Sequence, residues 1–319
     1  MKSFLRLIPI LFLLSSNVVS CYSLKGNKAN GQIIYQTLIN GKYDLNIINN
    51  DGSNRHELIK SDHTIFSTEN KFNPVPSPDG EKIAFVTDKN SKFQICVFNK
   101  ITGTVQILTD GGNNDYFPTW SPDGKNIGFI SDRGSIELDK IRGIKTNDIY
   151  IMDENGKNIT RVTDDNSQYS FGKIDWSPDG SNFAVSLSTY LNNGNTISGI
   201  SLLNIFTKKI TKLTADEFMI DGNPKWAPDG DRVLFTRSGS GFSNIFIINV
   251  DGTNLKSLTN DTEYFNIDPF WSPDGKFIAY SSNRENEYHI YLMNPDGSNK
   301  KRLSNVSILE VSPIWISKN

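Results

Sequence analysis

Short runs of consecutive apolar residues, separated by turn-forming residues, recur along most of the chain. One set of runs follows Pro-Asp-Gly turns, as at Ile83–Val86, Ile127–Ile130 and Ile278–Tyr280. A second set follows after a loop of variable length, as at Ile245–Ile248 and Ile290–Met293. Apolar runs that are continuous rather than alternating indicate short strands buried on both faces.

The turns repeat about every fifty residues, a period typical of repeat architectures. The turn sequence is Ser-Pro-Asp-Gly in four copies and Ala-Pro-Asp-Gly in one, beginning at Ser77, Ser121, Ser177, Ala227 and Ser272. The five tryptophans share one place in the repeat, before four turns and in a truncated last copy: Trp120, Trp176, Trp226, Trp271 and Trp315. Pro fixes φ, Asp bonds its own backbone and Gly takes a positive φ, so each turn joins two strands as a hairpin. We therefore expect the Asp residues to be structural rather than calcium ligands, and the Trp residues to pack between repeats.

Four short strands per repeat, each covered by neighbouring repeats, predict a β-propeller blade. The second strand of a blade begins six times, near Ile33, Ile83, Ile127, Phe183, Val233 and Ile278. The first of these blades lacks its own tryptophan-bearing strand, and a segment at about 311–317 supplies the missing piece. The prediction is an all-β, six-bladed β-propeller of four-stranded antiparallel blades over residues 31–319. Its ring is closed by the C-terminal strand joining the first blade, which removes an open sheet edge.

These repeats resemble the TolB-type propeller repeats of bacterial envelope proteins, which are WD-like in form. The resemblance extends from about Gly31 to the end of the chain. It implies a non-catalytic scaffold that binds envelope proteins, including peptidoglycan-associated lipoprotein. Proteins of the TolB type also carry an α/β domain before the propeller, whereas only Cys21–Asn30 precede the first blade here. Contact with the inner-membrane TolA component is therefore not implied.

The first twenty residues have the pattern of a secretory signal peptide. Lys2 and Arg6 give a positive start, and the apolar run Leu7–Leu14 is too short to span a bilayer. Val18–Cys21 resembles the bacterial lipobox, in which the cysteine is acylated and becomes the mature N-terminus. Ordinary cleavage after Ser20 is the alternative.

The segment 21–30 is short, polar and rich in Gly, Asn and Lys, and this composition predicts a lipidated tether. Because Tyr22 is not the Asp that often retains lipoproteins at the inner membrane, we expect an exported protein anchored in the outer membrane and facing the periplasm. A soluble periplasmic or secreted protein is the alternative. The lipid anchor would be the chain's only membrane attachment.

Composition and motifs restrict the possible functions. A formal charge of −2 gives no basic footprint for nucleic acid. Neither G-x-S-x-G nor H-E-x-x-H occurs, and the three histidines are scattered surface candidates: His56, His63 and His289. Cys96 lies in an apolar run and is expected to be an inert buried thiol. We therefore predict a monomer that is not an enzyme and needs no metal or cofactor.

The connections between blades are acidic, with fourteen Asp and Glu against four Lys and Arg. The residue five before the tryptophan place, here called the leading position, is Asp115, Asp221 and Glu310 in alternate blades. These three would form a pseudo-threefold set near the channel mouth. They are a candidate site for a partner, a cation or a cationic side chain, the alternative being solvated loop charge. The same acidic mouth is the only support for a second function, a carbohydrate- or peptide-processing enzyme.

Overall fold

Six four-stranded antiparallel sheets and one two-stranded hairpin make up the part of the chain that the structure describes. The structure is a computed structural model, and it describes residues 31–59, 69–135, 137–139, 144–163, 169–190, 196–215, 218–304 and 308–317. The predicted signal peptide, the lipobox with Cys21, the tether and His63 lie outside these residues.

The strands follow each other blade by blade along the chain. Blade 1 holds β1 (Gly31–Ile39), β2 (Lys42–Asn49) and β3 (His56–Glu57), and blade 2 holds β4 (Lys71–Pro76), β5 (Lys82–Thr87), β6 (Gln94–Asn99) and β7 (Thr104–Ile107). Blade 3 holds β8 (Asp115–Trp120), β9 (Asn126–Ser131), β12 (Asp148–Asp153) and β13 (Thr160–Arg161), with the hairpin β10 (Glu137–Asp139) and β11 (Ile144–Lys145) inserted. Blade 4 holds β14 (Tyr169–Trp176), β15 (Asn182–Tyr190), β16 (Thr196–Asn204) and β17 (Ile210–Lys212). Blade 5 holds β18 (Ile220–Trp226), β19 (Arg232–Gly239), β20 (Phe242–Asn249) and β21 (Lys256–Ser257). Blade 6 holds β22 (Asn266–Trp271), β23 (Ile278–Ser282), β24 (His289–Met293) and β25 (Lys301–Arg302), and the last strand is β26 (Leu309–Ser317).

The last strand closes the ring as predicted. Its sheet has the order β26-β1-β2-β3, so the C-terminal strand is the innermost strand of blade 1. Trp315 pairs with Ile33, and Ile314 pairs with Ile34. The strand begins two residues earlier than the sequence suggested. The six-bladed propeller with its C-terminal closure is therefore confirmed.

The Pro-Asp-Gly turns have the local bonding that their sequence predicts. In blade 2 the Ser77 hydroxyl donates to Asp79 Oδ1 at 2.5 Å, and the Glu81 N–H donates to the same oxygen at 3.0 Å. Gly80 has a φ of 69°, which a residue with a Cβ rarely adopts. These bonds lower the pKa of Asp79, led by the Ser77 hydroxyl. The turn Asp residues thus have a structural role.

Antiparallel topology separates the loops into two faces. The turns between first and second strands and between third and fourth strands lie at one end, here called the turn face. The loops between second and third strands and the connections between blades lie at the other end, here called the variable face. Loop length varies mainly on the variable face, where function is usually placed.

The tryptophans pack between blades in most of the repeat. The Trp120 indole N–H donates across the blade boundary to the Val75 carbonyl at 3.2 Å. Trp226, Trp271 and Trp315 are also buried among side chains of the preceding blade. Trp176 differs, because it is only half-buried and its indole N–H donates to Gly180 of its own turn. Inter-blade packing is therefore the rule, with blade 4 as the exception.

Candidate functional site

The innermost strand of every blade carries a β-bulge at the same place. The pairing register shifts by one residue between Phe72 and Val75 in blade 2, and at the corresponding point in the other five blades. In five blades the bulge is a residue of positive φ followed by proline: Asn73-Pro74, Phe117-Pro118, Asn223-Pro224, Asp268-Pro269 and Ser312-Pro313. Proline fits because a bulged residue has no ladder hydrogen bond to donate. Blade 4 has Gly172-Lys173 instead.

The bulges line the central channel of the propeller. The residues around it come from all six innermost strands and include Asn73, Phe117, Lys173, Asn223, Asp268 and Ser312, one bulge residue from each blade. The empty volume of about 510 Å³ includes space open to solvent. A bulge redirects a side chain within a strand, so this geometry places one polar or aromatic side chain per blade in the channel.

Two ion pairs that involve lysines of the channel lining connect one blade to another. Lys173 Nζ of blade 4 lies 3.1 Å from Asp268 Oδ1 of blade 6, and the Ser312 hydroxyl of blade 1 donates to Asp268 Oδ2 at 2.8 Å. Lys225 Nζ of blade 5 lies 2.8 Å from Asp175 Oδ1 of blade 4. The channel therefore holds balanced charge from side chains that are far apart in the sequence.

The environment of Asp268 keeps its carboxylate ionised. Burial by itself works to raise the pKa of Asp268, since it disfavours the charged form. Lys173, the Ser312 hydroxyl and Lys225 outweigh burial, and the net result is a lowered pKa. Asp268 is thus a fixed negative charge in the channel at neutral pH.

A row of aromatic side chains extends from the channel over blades 3, 2 and 1 on the variable face. We call this row the aromatic arc: Tyr43, Phe72, Phe93, Tyr116 and Phe117. Successive ring centroids are 5.3, 6.1, 5.6 and 5.8 Å apart. Phe93 is 37% exposed, and the other four rings are half-buried. Lys173 Nζ lies 5.4 Å from the centroid of the Phe117 ring, which joins the arc to the channel charges.

Each of the three predicted carboxylates is buried and contacts other side chains of the chain. Asp115 accepts two bonds of 2.9 Å from Arg133, and Asp221 accepts bonds of 2.7 Å from Arg237. Both carboxylates are buried, with 0% and 1% of the residue exposed. In blades 3 and 5 the carboxylate at the leading position is thus paired with an arginine of the same blade.

Glu310 has a different set of partners. Its carboxylate accepts a bond from the Ser304 hydroxyl, and its Oε2 lies 3.7 Å from His289 Nδ1. His289 is 3% exposed, so the expectation of a surface histidine is wrong at this position. A cation shared by Asp115, Asp221 and Glu310 stays a prediction. Titration of divalent cations onto the protein and onto Asp221→Ala tests it, and equal affinity in both, or no affinity in either, would contradict it.

Two other leading positions also hold a buried polar group with partners. In blade 2 the position holds buried Lys71, which pairs with Asp44 of blade 1. In blade 6 it holds Asn266, whose amide donates to Asp261 Oδ2 at 2.8 Å, and the Arg284 guanidinium contacts both. Each arrangement pairs or hydrogen-bonds a buried polar group, which would otherwise destabilise the fold.

No group of three or more His, Cys, Asp or Glu side chains within the described ranges is arranged to hold a metal ion. Within the same described part of the chain, no helix has the length and apolarity needed to cross a bilayer. His56 lies in β3, is exposed, and has its Nδ1 3.0 Å from the Asn54 carbonyl. Cys96 is fully buried, as predicted.

The channel charges and the aromatic arc were not found from the sequence. A usable pattern was present, because proline stands two residues before the tryptophan place in five of six repeats. Proline inside a strand indicates a bulge. The partners of Lys173 and Lys225 could not be predicted, since they come from other blades.

The fold and channel together define this chain as a six-bladed β-propeller with a bulged, charged channel. A family model described as the TolB beta propeller domain matches residues 68–188 and 145–319. The chain therefore belongs to the TolB beta propeller domain family, as the repeats indicated. A comparison with curated proteins finds no match.

Solved structures share the fold at low sequence identity. TolB from Acinetobacter baumannii is 22% identical, with a TM-score of 0.70 over 90% of this chain and 67% of that one. A putative TolB from Agrobacterium tumefaciens is 18% identical, with a TM-score of 0.60 over 92% and 100%. Oligogalacturonate lyase from Vibrio parahaemolyticus is 16% identical, with a TM-score of 0.55 over 88% and 75%. Identities this low establish the fold alone.

Proposed function

We propose that this protein is a non-catalytic interaction scaffold of the bacterial cell envelope that binds a protein partner on its variable face. Export by residues 1–20 and acylation at Cys21 would hold it at the outer membrane, facing the periplasm. The aromatic arc is the observation that carries the proposal. Aromatic side chains are enriched at protein interfaces, where a few buried anchors supply most of the binding energy.

The surroundings of the arc support a protein ligand. Phe218 in the blade 4–5 connection is 90% exposed, and Ile220 at the start of β18 is 65% exposed. Tyr264 in the next connection is 37% exposed. Together with Phe93 and Ile39, they put large apolar side chains around the variable face, among acidic connections. Apolar groups with polar neighbours of this kind are typical of interaction surfaces. A basic partner surface would complement the acidic connections.

The family resemblance suggests an envelope protein as partner, with peptidoglycan-associated lipoprotein as the first candidate. The test is binding of the same organism's purified peptidoglycan-associated lipoprotein to the protein, measured as Kd. Phe93→Ala should weaken binding on the order of thirtyfold, because an interface anchor contributes about 2 kcal/mol or more. Phe206→Ala on the turn face is the matched control and should leave Kd unchanged. Equal affinities for the two variants would place the interface elsewhere.

The alternative is a carbohydrate- or peptide-processing enzyme that uses the acidic mouth. The similarity in fold to oligogalacturonate lyase is what favours it. The buried state of Asp115, Asp221 and Glu310, each with its own partners, supports the non-catalytic proposal instead. Incubation with oligogalacturonides, with and without Mn²⁺, distinguishes the two. Turnover that Glu310→Gln abolishes would favour the enzyme.

A further inference from the structure

Four consecutive blades present a large apolar side chain to solvent from the turn between their third and fourth strands. These residues are Ile101, Ile159, Phe206 and Leu255, in blades 2 to 5, with 71%, 38%, 76% and 46% exposed. All four turns lie on the turn face. Scattered single apolar residues are normal on a protein surface, but here the repeat places them along one rim.

The four positions form two equivalent pairs. The Ile101 and Phe206 N–H groups each donate to an asparagine Oδ1 two residues earlier, at 2.9 and 3.2 Å. Ile159 and Leu255 each follow an asparagine of positive φ, with angles of 58° and 57°. The backbone geometry therefore fixes each side chain at the end of its hairpin, where it points away from the blade core.

The same turns are weakly basic. Residues 100–103, 154–159, 205–209 and 250–255 contain four lysines against two carboxylates. Glu154 is paired with Lys82, and Asp251 accepts the Thr253 N–H at 2.9 Å. The Asp side chains of the Pro-Asp-Gly turns, which share this face, are similarly bonded within their own turns. These hydrogen-bonded carboxylates keep their charge, so the apolar tips, rather than net charge, would favour contact of this face with lipid.

The chain reaches the propeller on this same face. Gly31 is the first residue of β1, and its carbonyl accepts a bond from the Asn50 N–H in a turn of the turn face. The ten residues 21–30, of which Cys21 is the first, directly precede Gly31. Fully extended, ten residues span at most about 35 Å. An acyl anchor at Cys21 would therefore keep the turn face within that distance of the bilayer.

We propose that the turn face is a membrane-docking face, on which the apolar tips of blades 2 to 5 insert into the lipid surface beside the acyl anchor. The proposal rests on the lipid anchoring proposed above. An acylated lipobox cysteine carries more than one chain and anchors the protein by itself, so contact of the apolar tips with lipid would fix the orientation of the propeller on the membrane. This orientation leaves the aromatic arc and the channel mouth directed away from the membrane and open to a partner.

The experiment places a fluorophore on each face of the full acylated chain in vesicles of phosphatidylethanolamine and phosphatidylglycerol. A nitrobenzoxadiazole label is attached at Phe206→Cys on the turn face, or at Phe218→Cys on the variable face as the matched exposed control. Buried Cys96 should not react in the folded protein, so labelling is confined to the introduced thiol. We expect a blue shift and loss of quenching by aqueous iodide at position 206, and unchanged quenching at position 218.

The outcomes separate this inference from the anchor itself. If the chain floats with the vesicles and both labels are quenched equally, the docking face is overturned while the anchor stands. If the chain is not acylated and does not float, both proposals fail. Ile101→Asp combined with Phe206→Asp should restore quenching of a label at Leu255→Cys without releasing the chain, and protection that survives both changes would also contradict docking.

Discussion

Trp315 of the last strand pairs with Ile33 of the first, so blade 1 is built from both ends of the propeller. Trp315 is 2% exposed and packs with Ala279 and Ile290 of blade 6. The closing contact therefore combines backbone pairing within blade 1 with burial of an indole ring against blade 6. A ring closed in this way leaves no free strand edge at the junction.

Trp315→Ala should lower the free energy of unfolding by about 3–5 kcal/mol, because it leaves a large cavity at the closing contact. Urea unfolding measures the change. Trp176→Ala is the matched control, since Trp176 is half-buried and bonds its own turn, and it should cost less. Equal losses would mean that the closing strand contributes no more than an ordinary blade.

Gly297→Ala should destabilise the protein more than Gly252→Ala, although both glycines occupy the same turn in adjacent blades. Their φ angles are 88° and 84°, so both substitutions carry the same backbone strain of about 1–2 kcal/mol. A Cβ at Gly297 would lie 2.7 Å from the Leu258 carbonyl oxygen of blade 5, whereas one at Gly252 would meet nothing within 4 Å. Overpacking adds about 1–3 kcal/mol for Gly297 alone. Thermal or urea unfolding of the two variants gives this difference, and its absence would contradict a tight blade contact.

Asp221→Asn should cost about 3 kcal/mol of stability, because it removes a buried carboxylate charge that accepts two bonds from the mostly buried Arg237 guanidinium. Asp231→Asn is an exposed control that should change stability by less than about 0.5 kcal/mol. Replacing Arg237 by Leu in the Asp221→Asn background should recover part of the loss. A double variant no more stable than Asp221→Asn would show that the pair is not the source of the effect.

Cys96 should not react with a thiol reagent at pH 8 until the protein unfolds. Burial raises the pKa of its thiol to about 12, so the reactive thiolate is nearly absent in the folded state. Counting thiols in protein isolated from cells therefore also tests acylation of Cys21. We expect no reactive thiol per chain before unfolding and one after it. One before and two after would contradict the acylated cysteine.

The stability that Asp268 contributes should disappear in acid. Its pKa is lower in the folded protein than in the unfolded chain, so its contribution is present above the unfolded value and is lost as pH falls through the folded value. The stability difference between the protein and Asp268→Asn, measured by urea unfolding, should therefore narrow from pH 7 to pH 3. Glu263→Gln, an exposed control, should show a small difference at both pH values. A stability difference between the protein and Asp268→Asn that is the same at pH 7 and pH 3 would rule out a contribution from ionisation of Asp268.

Sequence patterns predicted the blades well because their determinants are local. A Pro-Asp-Gly turn bonds within five residues, as at Ser77 and Asp79, and the apolar runs on both sides need only adjacent strands to be buried. The closing strand was also predictable, since the orphan Trp315 matched the piece that the first blade lacked. The exposed state assigned to His289 failed, because its burial depends on the closing strand from which Glu310 projects.

The sequence by itself determined the number of blades, their order and the residues of the closing strand, since each follows from a repeat that can be counted. Only the tertiary structure decided which charges meet. Lys173 forms an ion pair with Asp268 two blades away. The aromatic arc connects Tyr43 of blade 1 to Phe117 of blade 3. Such contacts depend on ring curvature, which decides which blades lie close together and is not encoded within a single repeat. The bulges that turn side chains into the channel are signalled locally, by the proline two residues before the tryptophan place.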